Sequence, residues 1–448
     1  MGSDVARLKV KVPHIIIAQI IRTLHDIFVE RRYSDKAVEF AFKRHPKWGS
    51  RDRRLFAESV YECVRHWRWY WHLAGLPDVE HTERECIHED QLWLVWAAQW
   101  VTSGKELPVF DELSGVRIAD IRAREKMDVP DVIRLSLPDW LDARCSRELG
   151  AAWPAIRETL NQPAEVYLRT NTLKTDRRSL KERLGQDGFI TEALKPIPTA
   201  LVMQQRYNVF GMAAFKEGLF EVQDASSQRV APFLQPEPGM KVIDACAGGG
   251  GKTLHIGALM QNKGRILALD VHDWKLKELR KRCGRAGVDV AETRLIEGSK
   301  SIKRLAGYAD RVLLDVPCSG LGVLRRNPDA KWKLSEVEID RLIIEQQDIL
   351  TRYSSMVKPG GKLVYATCSI LPSENEFQVQ KFLAAHAEEW TLEEEMKINP
   401  AESGHDGFYG ARLVRKAAAI SAASTETVAH AQPTAEAVAE TPSEPATE

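Results

Sequence analysis

Cysteine is scarce in this chain, and its placement does not suit a disulfide framework. The seven cysteines are an odd number, and no two of them form a CxxC pair. The chain also lacks any apolar run near the roughly 20 residues that a membrane-spanning helix needs. The longest candidate, VPHIIIAQII at residues 12–21, is too short, and no small-residue cleavage site follows it. We therefore expect a cytoplasmic protein with no membrane segment.

Net charge is lacking as well, because 63 Lys and Arg balance 63 Asp and Glu. These charges are unevenly spread along the chain. Residues 1–72 carry 15 basic against 8 acidic residues, whereas residues 417–448 carry five Glu and no Lys or Arg. Without that acidic tail the chain is net basic, as a nucleic-acid partner favours. An ordinary solvated helix surface has the same composition, so charge alone does not separate the two interpretations.

One stretch of the chain contains several residues of the types that bind metals. HTERECIHED at residues 81–90 contains His81, Cys86 and His88, but their separations are not those of a zinc site. A solvated acidic surface accounts for this composition, and we expect no metal ion.

Hydrophobic periodicity divides the chain into four regions. Apolar residues three and four positions apart, many of them Trp, predict a helical domain over 1–160 with Trp in its core. A small α+β pattern covers 161–236. Over 237–416 apolar strands alternate with amphipathic helices, which predicts an α/β domain with a mostly parallel sheet. FYGARLVRK at 408–416 is expected as a last edge strand, and 417–448 as a disordered tail.

A glycine-rich stretch, DACAGGGGKT at 244–253, follows the first strand of the α/β region. A P-loop would need Gly where Cys246 stands, six positions before Lys252. An NAD-binding G-x-G-x-x-G motif would need its third Gly where Thr253 stands. Asp270 ends the next strand, 19 residues after Gly251, at a position where an acid commonly binds ribose hydroxyls. S-adenosylmethionine, a nucleoside cofactor without a diphosphate, suits this pattern best.

Two further stretches each place a cysteine just beyond the end of a strand. LLDVPCSGLGVLRRNPDAKW contains Cys318, and LVYATCSILPSENE contains Cys368. One such cysteine would most often be an inert buried residue. Two at equivalent strand ends, beside a glycine-rich loop, indicate a shared site that faces the cofactor crevice.

These stretches, together with FEVQDASSQ, ALDVH and DGFYGARL, resemble the Sun/NOP2 family of RNA cytosine-C5 methyltransferases, closest to its bacterial Sun (Fmu, RsmB-like) type. The resemblance implies a class I (Rossmann-like) methyltransferase domain that uses S-adenosylmethionine, preceded by a helical domain and a small subdomain that both bind RNA. The chain departs from the family in two places. Gly248 or Gly249 stands where the family has Pro, and Glu297 or Ser299 where it has Asp after the third strand.

The resemblance also implies roles for individual residues. Cys368 would attack cytosine C6, because thiolate addition makes C5 nucleophilic enough to accept a methyl group. Cys318 would assist release of the product, and Asp315 would bond the cytosine ring or lie near the cofactor. Arg325, Arg326 and Lys331 would grip the RNA backbone. The implied cofactor-binding residues are Cys246, Ala247, Gly248, Gly249, Gly250, Gly251, Lys252, Asp270, Glu297 and Asp315.

The expected substrate is a cytosine of 16S rRNA, with tRNA as the alternative, and the expected state is a monomer. Two other classes of function are open. A DNA cytosine methyltransferase uses one Pro-Cys cysteine as its nucleophile and would leave Cys368 unexplained. A non-catalytic RNA-binding scaffold would not need two strand-end cysteines beside a cofactor loop.

Overall fold

Amphipathic helices form the first part of the chain in this computed structural model, which describes residues 12–417. Their apolar faces meet in a core that contains the predicted tryptophans, with Trp67, Trp71, Trp96 and Trp100 all fully buried. Burial of such large side chains is a major stabilising contribution. The helices are α1 (His14–Phe28), α2 (Ser34–Arg44), α3 (Ser50–Arg65), α4 (Trp67–Leu73), α5 (Glu89–Thr102), α6 (Ile118–Glu125), α7 (Asp131–Arg134), α8 (Asp139–Leu149) and α9 (Trp153–Leu160).

A small antiparallel sheet follows, with the strand order β2-β3-β1-β4. Its strand β1 is buried along its whole length, and the Arg169 guanidinium on that strand donates to the carbonyl oxygen of Gly251 at 2.6 Å. This bond ties the small sheet to the glycine-rich loop. The elements are β1 (Tyr167–Thr170), α10 (Arg177–Gln186), β2 (Thr191–Ala193), β3 (Ala200–Met203), α11 (Ala213–Lys216) and β4 (Phe220–Val222).

The remaining elements alternate between strand and helix, as predicted, and build an α/β layer structure. Buried aliphatic strands pair in parallel at the centre, and helices cover the sheet. The elements are α12 (Ala225–Gln228), α13 (Val230–Phe233), β5 (Lys241–Asp244), α14 (Gly251–Leu259), β6 (Arg265–Asp270), α15 (Asp273–Ala286), β7 (Ala291–Leu295), α16 (Ser299–Lys303), β8 (Ala309–Asp315), α17 (Ala330–Lys333), α18 (Glu336–Tyr353), β9 (Val357–Thr367), α19 (Glu376–Ala385), β10 (Trp390–Ile398), α20 (Pro400–Ser403) and β11 (Phe408–Arg415).

The order of the seven strands, β10-β11-β9-β8-β5-β6-β7, identifies the place where a ligand binds. From β5 the chain moves outward to β6 and β7, then returns to lay β8 on the other side of β5. The carboxyl ends of β5 and β8 therefore flank a topological switch point, the usual ligand site of a doubly wound sheet.

The prediction of an edge strand at 408–416 is wrong in its position. Strand β11 lies between β9 and β10 and pairs antiparallel with both. The strand at that edge of the sheet is β10, with the sequence WTLEEEMKI. Its acidic side chains are exposed to solvent, so the sequence lacks the alternation of apolar and polar residues that predicts a strand.

The disorder predicted for 417–448 falls on residues that, from 418 onward, lie outside the described part of the chain. Between residues 12 and 417 the longest and most apolar helices still fall short of the length and hydropathy that crossing a membrane requires.

Candidate active site

The glycine-rich loop joins β5 to α14 through a turn that only glycine allows without strain. Gly248 has φ 53° and Gly250 has φ 84°, both in the left-handed region. A Cβ on Gly250 would lie 2.5 Å from the Leu279 side chain. The loop is thus packed tightly against α15, and its backbone, free of side chains, borders the switch point.

Asp270, at the end of β6, holds this loop in shape. Its side chain is 6% exposed, and its two carboxylate oxygens accept bonds from the backbone N–H groups of Gly248, at 2.9 Å, and His272, at 2.8 Å. Each oxygen keeps a second lone pair, so the carboxylate can still accept a bond from a ligand.

Asp244, the last residue of β5, was not predicted as a site residue although it opens the glycine-rich stretch. Its Oδ2 accepts a bond from the Thr253 hydroxyl at 2.7 Å, while its buried Oδ1 has no partner within residues 12–417. Burial raises the pKa of Asp244 to about 7. The residue lines a cavity of about 270 Å³ together with Cys246, Ala247, Lys252 and Asp315.

Lys252 and Asp315 form an ion pair across the switch point, with 2.5 Å between Nζ and Oδ2. Burial lowers the pKa of Lys252, but the charge and hydrogen bond of Asp315 outweigh it, and the nearby Cys368 sulfur adds to the upward shift. Lys252 therefore stays charged and is more than the first-turn residue of a helix. Its ammonium group supplies positive potential between the glycine-rich loop and the cysteines.

The two cysteines meet because β8 and β9 are parallel neighbours that end side by side. The sulfur atoms of Cys318 and Cys368 lie 3.4 Å apart. The hydrogen bond with Cys368, followed by burial, raises the pKa of Cys318 well above that of a free thiol. Cys318 therefore keeps its proton at neutral pH, and either sulfur can be the donor of the pair.

A buried carboxylate beneath the cysteines was also missed by sequence analysis. Glu374 is fully buried and accepts bonds from Ser319 and Ser369, the residues that follow the two cysteines. The available signal was the repeated Cys-Ser pair combined with the acidic SENE segment.

Glu297 lies exposed two residues beyond β7, the neighbour of β6. It therefore occupies the same edge of the sheet as Asp270. Its contact with a cofactor remains a prediction.

Arg325 and Lys331, which were predicted to bind RNA, both point into the protein, and their contact with RNA stays a prediction. Arg325 is 8% exposed and donates to the carbonyl oxygens of Gly404 and Pro163. Lys331 is 3% exposed and donates to the Arg65 carbonyl at 2.8 Å. The bonds to Pro163 and Arg65 join the α/β region to the part of the chain that precedes it.

Arg326 is likewise engaged by protein groups. Its guanidinium bonds the carboxylates of Asp406, at 2.5 Å, and Asp224, at 2.7 Å, and also the Glu165 carbonyl at 2.9 Å. These three contacts give it a structural role, and its contact with a phosphate stays a prediction.

Comparison with known proteins gives the same assignment to two parts of the chain. Residues 231–414 match the family described as 16S rRNA methyltransferase RsmB/F. Residues 137–210 match the RsmF/B-like, ferredoxin-like domain.

Individual relatives extend this likeness along most of the chain. The probable ribosomal RNA small subunit methyltransferase B of Synechocystis is 32% identical over 437 residues, which covers 87% of this chain and 97% of that protein. The ribosomal RNA small subunit methyltransferase B of Pasteurella multocida is 36% identical and covers 62% of this chain and 64% of its own length. The crystal structure of PH0851 superposes with a TM-score of 0.76 at 26% identity, over 91% of this chain and all of that one. The chain therefore belongs to the RsmB/F family of 16S rRNA methyltransferases, as the resemblance to the Sun type implied.

Proposed function

We propose that this protein transfers a methyl group from S-adenosylmethionine to C5 of a cytosine in small-subunit rRNA, through a covalent adduct between a cysteine and C6. The observation that carries the proposal is the 3.4 Å separation of the Cys318 and Cys368 sulfurs at the ends of β8 and β9, beside the glycine-rich loop. Membership of an rRNA methyltransferase family supports the substrate class.

The residues around the switch point fit S-adenosylmethionine, which supplies an electrophilic methyl group when bound. The unpartnered, buried Oδ1 of Asp244 suits a cationic amine. Asp270 keeps free lone pairs for ribose hydroxyls at the end of the neighbouring strand. The side-chain-free backbone of Gly248–Gly251 allows close approach, and Glu297, which follows β7, would contact the adenosine end.

Cys368 acts as the nucleophile. Its sulfur adds to C6 of the cytosine, the C5–C6 double bond opens, and C5 gains the electron density that it needs to accept a methyl group. The ammonium group of Lys252 supplies positive potential near the Cys368 sulfur. Asp315 ends β8, three residues before Cys318, and bonds the ring N3 and exocyclic amine, where charge develops during addition.

Cys318 completes the reaction after transfer. Loss of the C5 proton restores the double bond and expels the Cys368 thiolate from C6. Cys318 forms a hydrogen bond with Cys368, so it can give its own proton to the departing sulfur and then, as a thiolate, take up the proton that leaves C5.

A target base must leave its stack to reach these thiols, because both lie at strand ends partly enclosed by protein. A cytosine in a single-stranded or loop segment is therefore the easier substrate. Cytosine in tRNA is the second candidate, since the same chemistry would apply to it.

The proposal is tested with purified protein, labelled S-adenosylmethionine and three substrates: 16S rRNA, tRNA and DNA. We expect 5-methylcytidine in digested 16S rRNA, identified by mass spectrometry. Methylation of ribose, of another base or of an exocyclic nitrogen would contradict the proposed mechanism, and preference for DNA would contradict the substrate class. Calorimetry with S-adenosylmethionine distinguishes an enzyme from a scaffold, and bisulfite sequencing of RNA from a deletion strain identifies the cytosine.

A further inference from the structure

The two cysteine loops share a sequence feature that the chemistry above does not use. Cys318 is followed by Ser319, and Cys368 by Ser369. The two serine hydroxyl oxygens lie 3.2 Å apart, and both hydroxyls donate to the same carboxylate oxygen, Oε2 of Glu374. One carboxylate thus bridges both loops at the residue next to each thiol.

The second oxygen of Glu374 is also occupied. Its Oε1 accepts bonds from the backbone N–H of Ser319, at 2.8 Å, and from the Gln346 amide, at 2.9 Å. Gln346 in turn donates to the Pro317 carbonyl at 2.9 Å, on the other side of Cys318. Glu374 therefore controls the backbone on both sides of that cysteine.

Glu374 is itself held rigidly. Its carbonyl oxygen accepts a bond from the buried Tyr365 hydroxyl on β9 at 2.7 Å, and its N–H donates to the Leu371 carbonyl at 3.0 Å. No Lys, Arg or His of residues 12–417 forms an ion pair with it. An ionised carboxylate buried without a cation is costly unless hydrogen bonds satisfy it, and four neutral donors do so here.

A glycine allows the two loops to approach as closely as this bridge requires. The N–H of Gly322 donates to the Cys368 carbonyl at 2.9 Å. A Cβ on Gly322 would lie 2.7 Å from that carbonyl oxygen and 2.3 Å from the Gly407 carbonyl oxygen. Any larger residue would push the Cys318 loop away from the Cys368 loop.

We propose that Glu374 is a positioning residue that sets the separation of the Cys318 and Cys368 thiols by bridging Ser319 and Ser369. The inference rests on the proposed function in one respect, because it takes both thiols as reacting groups. Addition at C6 and proton loss at C5 occur on adjacent atoms of one base, so both sulfurs must stay close together. Misplacement of a reacting group by about 1 Å can cost roughly 10²-fold in rate.

The separation of the thiols can be measured without RNA or cofactor, through the rate at which they form a disulfide. Each thiol loses a proton and an electron, the two sulfurs join, and added oxidised glutathione accepts the electrons and protons as two molecules of reduced glutathione. Peptide mapping identifies the Cys318–Cys368 bond. Because the sulfurs are 3.4 Å apart, we expect rapid coupling in the unmodified protein.

Glu374→Ala should slow this coupling at least roughly tenfold and lower kcat for methyl transfer by about 10²-fold, with KM for the cofactor little changed. Glu374→Gln, which keeps the shape and one acceptor oxygen, should recover part of both losses. The double variant Ser319→Ala/Ser369→Ala removes the bridge while retaining the carboxylate, and it serves as the test if Glu374→Ala does not fold.

Asp329→Asn is the matched control. Asp329 is also buried and also bonds a serine, because its oxygens accept from the N–H and hydroxyl of Ser34 in α2 and from the Lys333 ammonium in α17, rather than from the cysteine loops. It should lower the melting temperature and leave the coupling rate unchanged. A coupling rate and kcat unaffected by the Glu374 and double-serine variants would overturn the proposal. Slower coupling in a protein that methylates no cytosine would support the positioning role and refute the proposed function instead.

Discussion

The connection between β8 and α18, residues 316–335, has two halves that contact buried charged groups in opposite ways. At its start, next to Cys318, a buried anion is held by neutral donors, since Glu374 accepts only from hydroxyl, amide and backbone groups. In its second half, buried basic side chains are held by neutral acceptors, since Arg325 donates to two carbonyl oxygens and Lys331 to a carbonyl and an amide oxygen. The first half, together with the Cys368 loop that it contacts, leaves two thiols free to react. The second half uses its charged groups to join the methyltransferase region to the helices before it.

The largest effect should come from the reactive half. Cys368→Ser should abolish methyl transfer, because a hydroxyl is a far weaker nucleophile than a thiolate and a poorer leaving group. In the Cys318→Ala variant, Cys368 should still attack the base, but the adduct should not be released. A covalent protein–RNA complex should therefore survive denaturing electrophoresis.

The double variant should form no complex, because the attacking thiol is gone. A complex trapped by Cys368→Ala, with none from Cys318→Ala, would reverse the two roles. It would also point to the single-cysteine mechanism of DNA cytosine methyltransferases.

The second prediction concerns Arg326, which lies between the two halves. Arg326→Ala should lower the free energy of unfolding by about 3–5 kcal/mol, because it leaves the buried carboxylates of Asp406 and Asp224 without their cation. Burial and the charge of Asp224 already raise the pKa of Asp406 to about 6. Urea unfolding measures the loss. Arg326→Lys should show a smaller loss because it keeps a cation, but not full stability, because lysine cannot bond both carboxylates in the same geometry.

RNA binding by Arg326→Ala provides the contrast. If Arg326 makes no phosphate contact, the salt dependence of binding should equal that of the unmodified protein. If the slope of log affinity against log salt concentration instead falls by the value of about one phosphate contact, and stability is unchanged, Arg326 binds RNA and the structural role is refuted.

These residues show where sequence reasoning succeeds and where it stops. Strand ends can be located from the alternation of strands and helices, so the meeting of Cys318, Cys368, Asp315 and the glycine-rich loop could be predicted. The direction of a long side chain depends on partners distant in the sequence, and Arg325 bonds Pro163 while Lys331 bonds Arg65. Strand β10 was missed because its acidic outer face hides the apolar alternation.

The third prediction concerns Asp244, a buried acid in the same site with one carboxylate oxygen, Oδ1, that has no hydrogen-bond partner within residues 12–417. Burial raises the pKa of Asp244 to about 7, whereas an aspartate in an unfolded chain ionises near pH ~4. Between those values the folded protein keeps a proton that the unfolded chain has lost. The stability that Asp244 contributes is therefore present below pH ~4 and is lost as the pH rises to about 7.

Asp244→Asn should remove this dependence. Relative to the unmodified protein, its free energy of unfolding should improve by about 2–4 kcal/mol between pH ~4.5 and pH ~7.5, as measured by urea unfolding. A constant difference across that range would mean that Asp244 is ionised throughout, as in a site with a permanent cationic partner.

The smallest effect is expected for Asp270, where a side chain holds backbone groups of the glycine-rich loop. Asp270→Ala should weaken S-adenosylmethionine binding by about 1–3 kcal/mol, because it removes the acceptor for ribose and leaves the N–H groups of Gly248 and His272 unpaired. Asp310→Ala is the matched control, since Asp310 also accepts a backbone N–H, that of Lys241 at 2.8 Å, but lies at the opposite end of the sheet. Calorimetry should show weaker binding for the first variant alone. Equal binding by both would remove Asp270 from the cofactor site, and equal weakening would mean that loss of stability, rather than a contact, lowers the affinity.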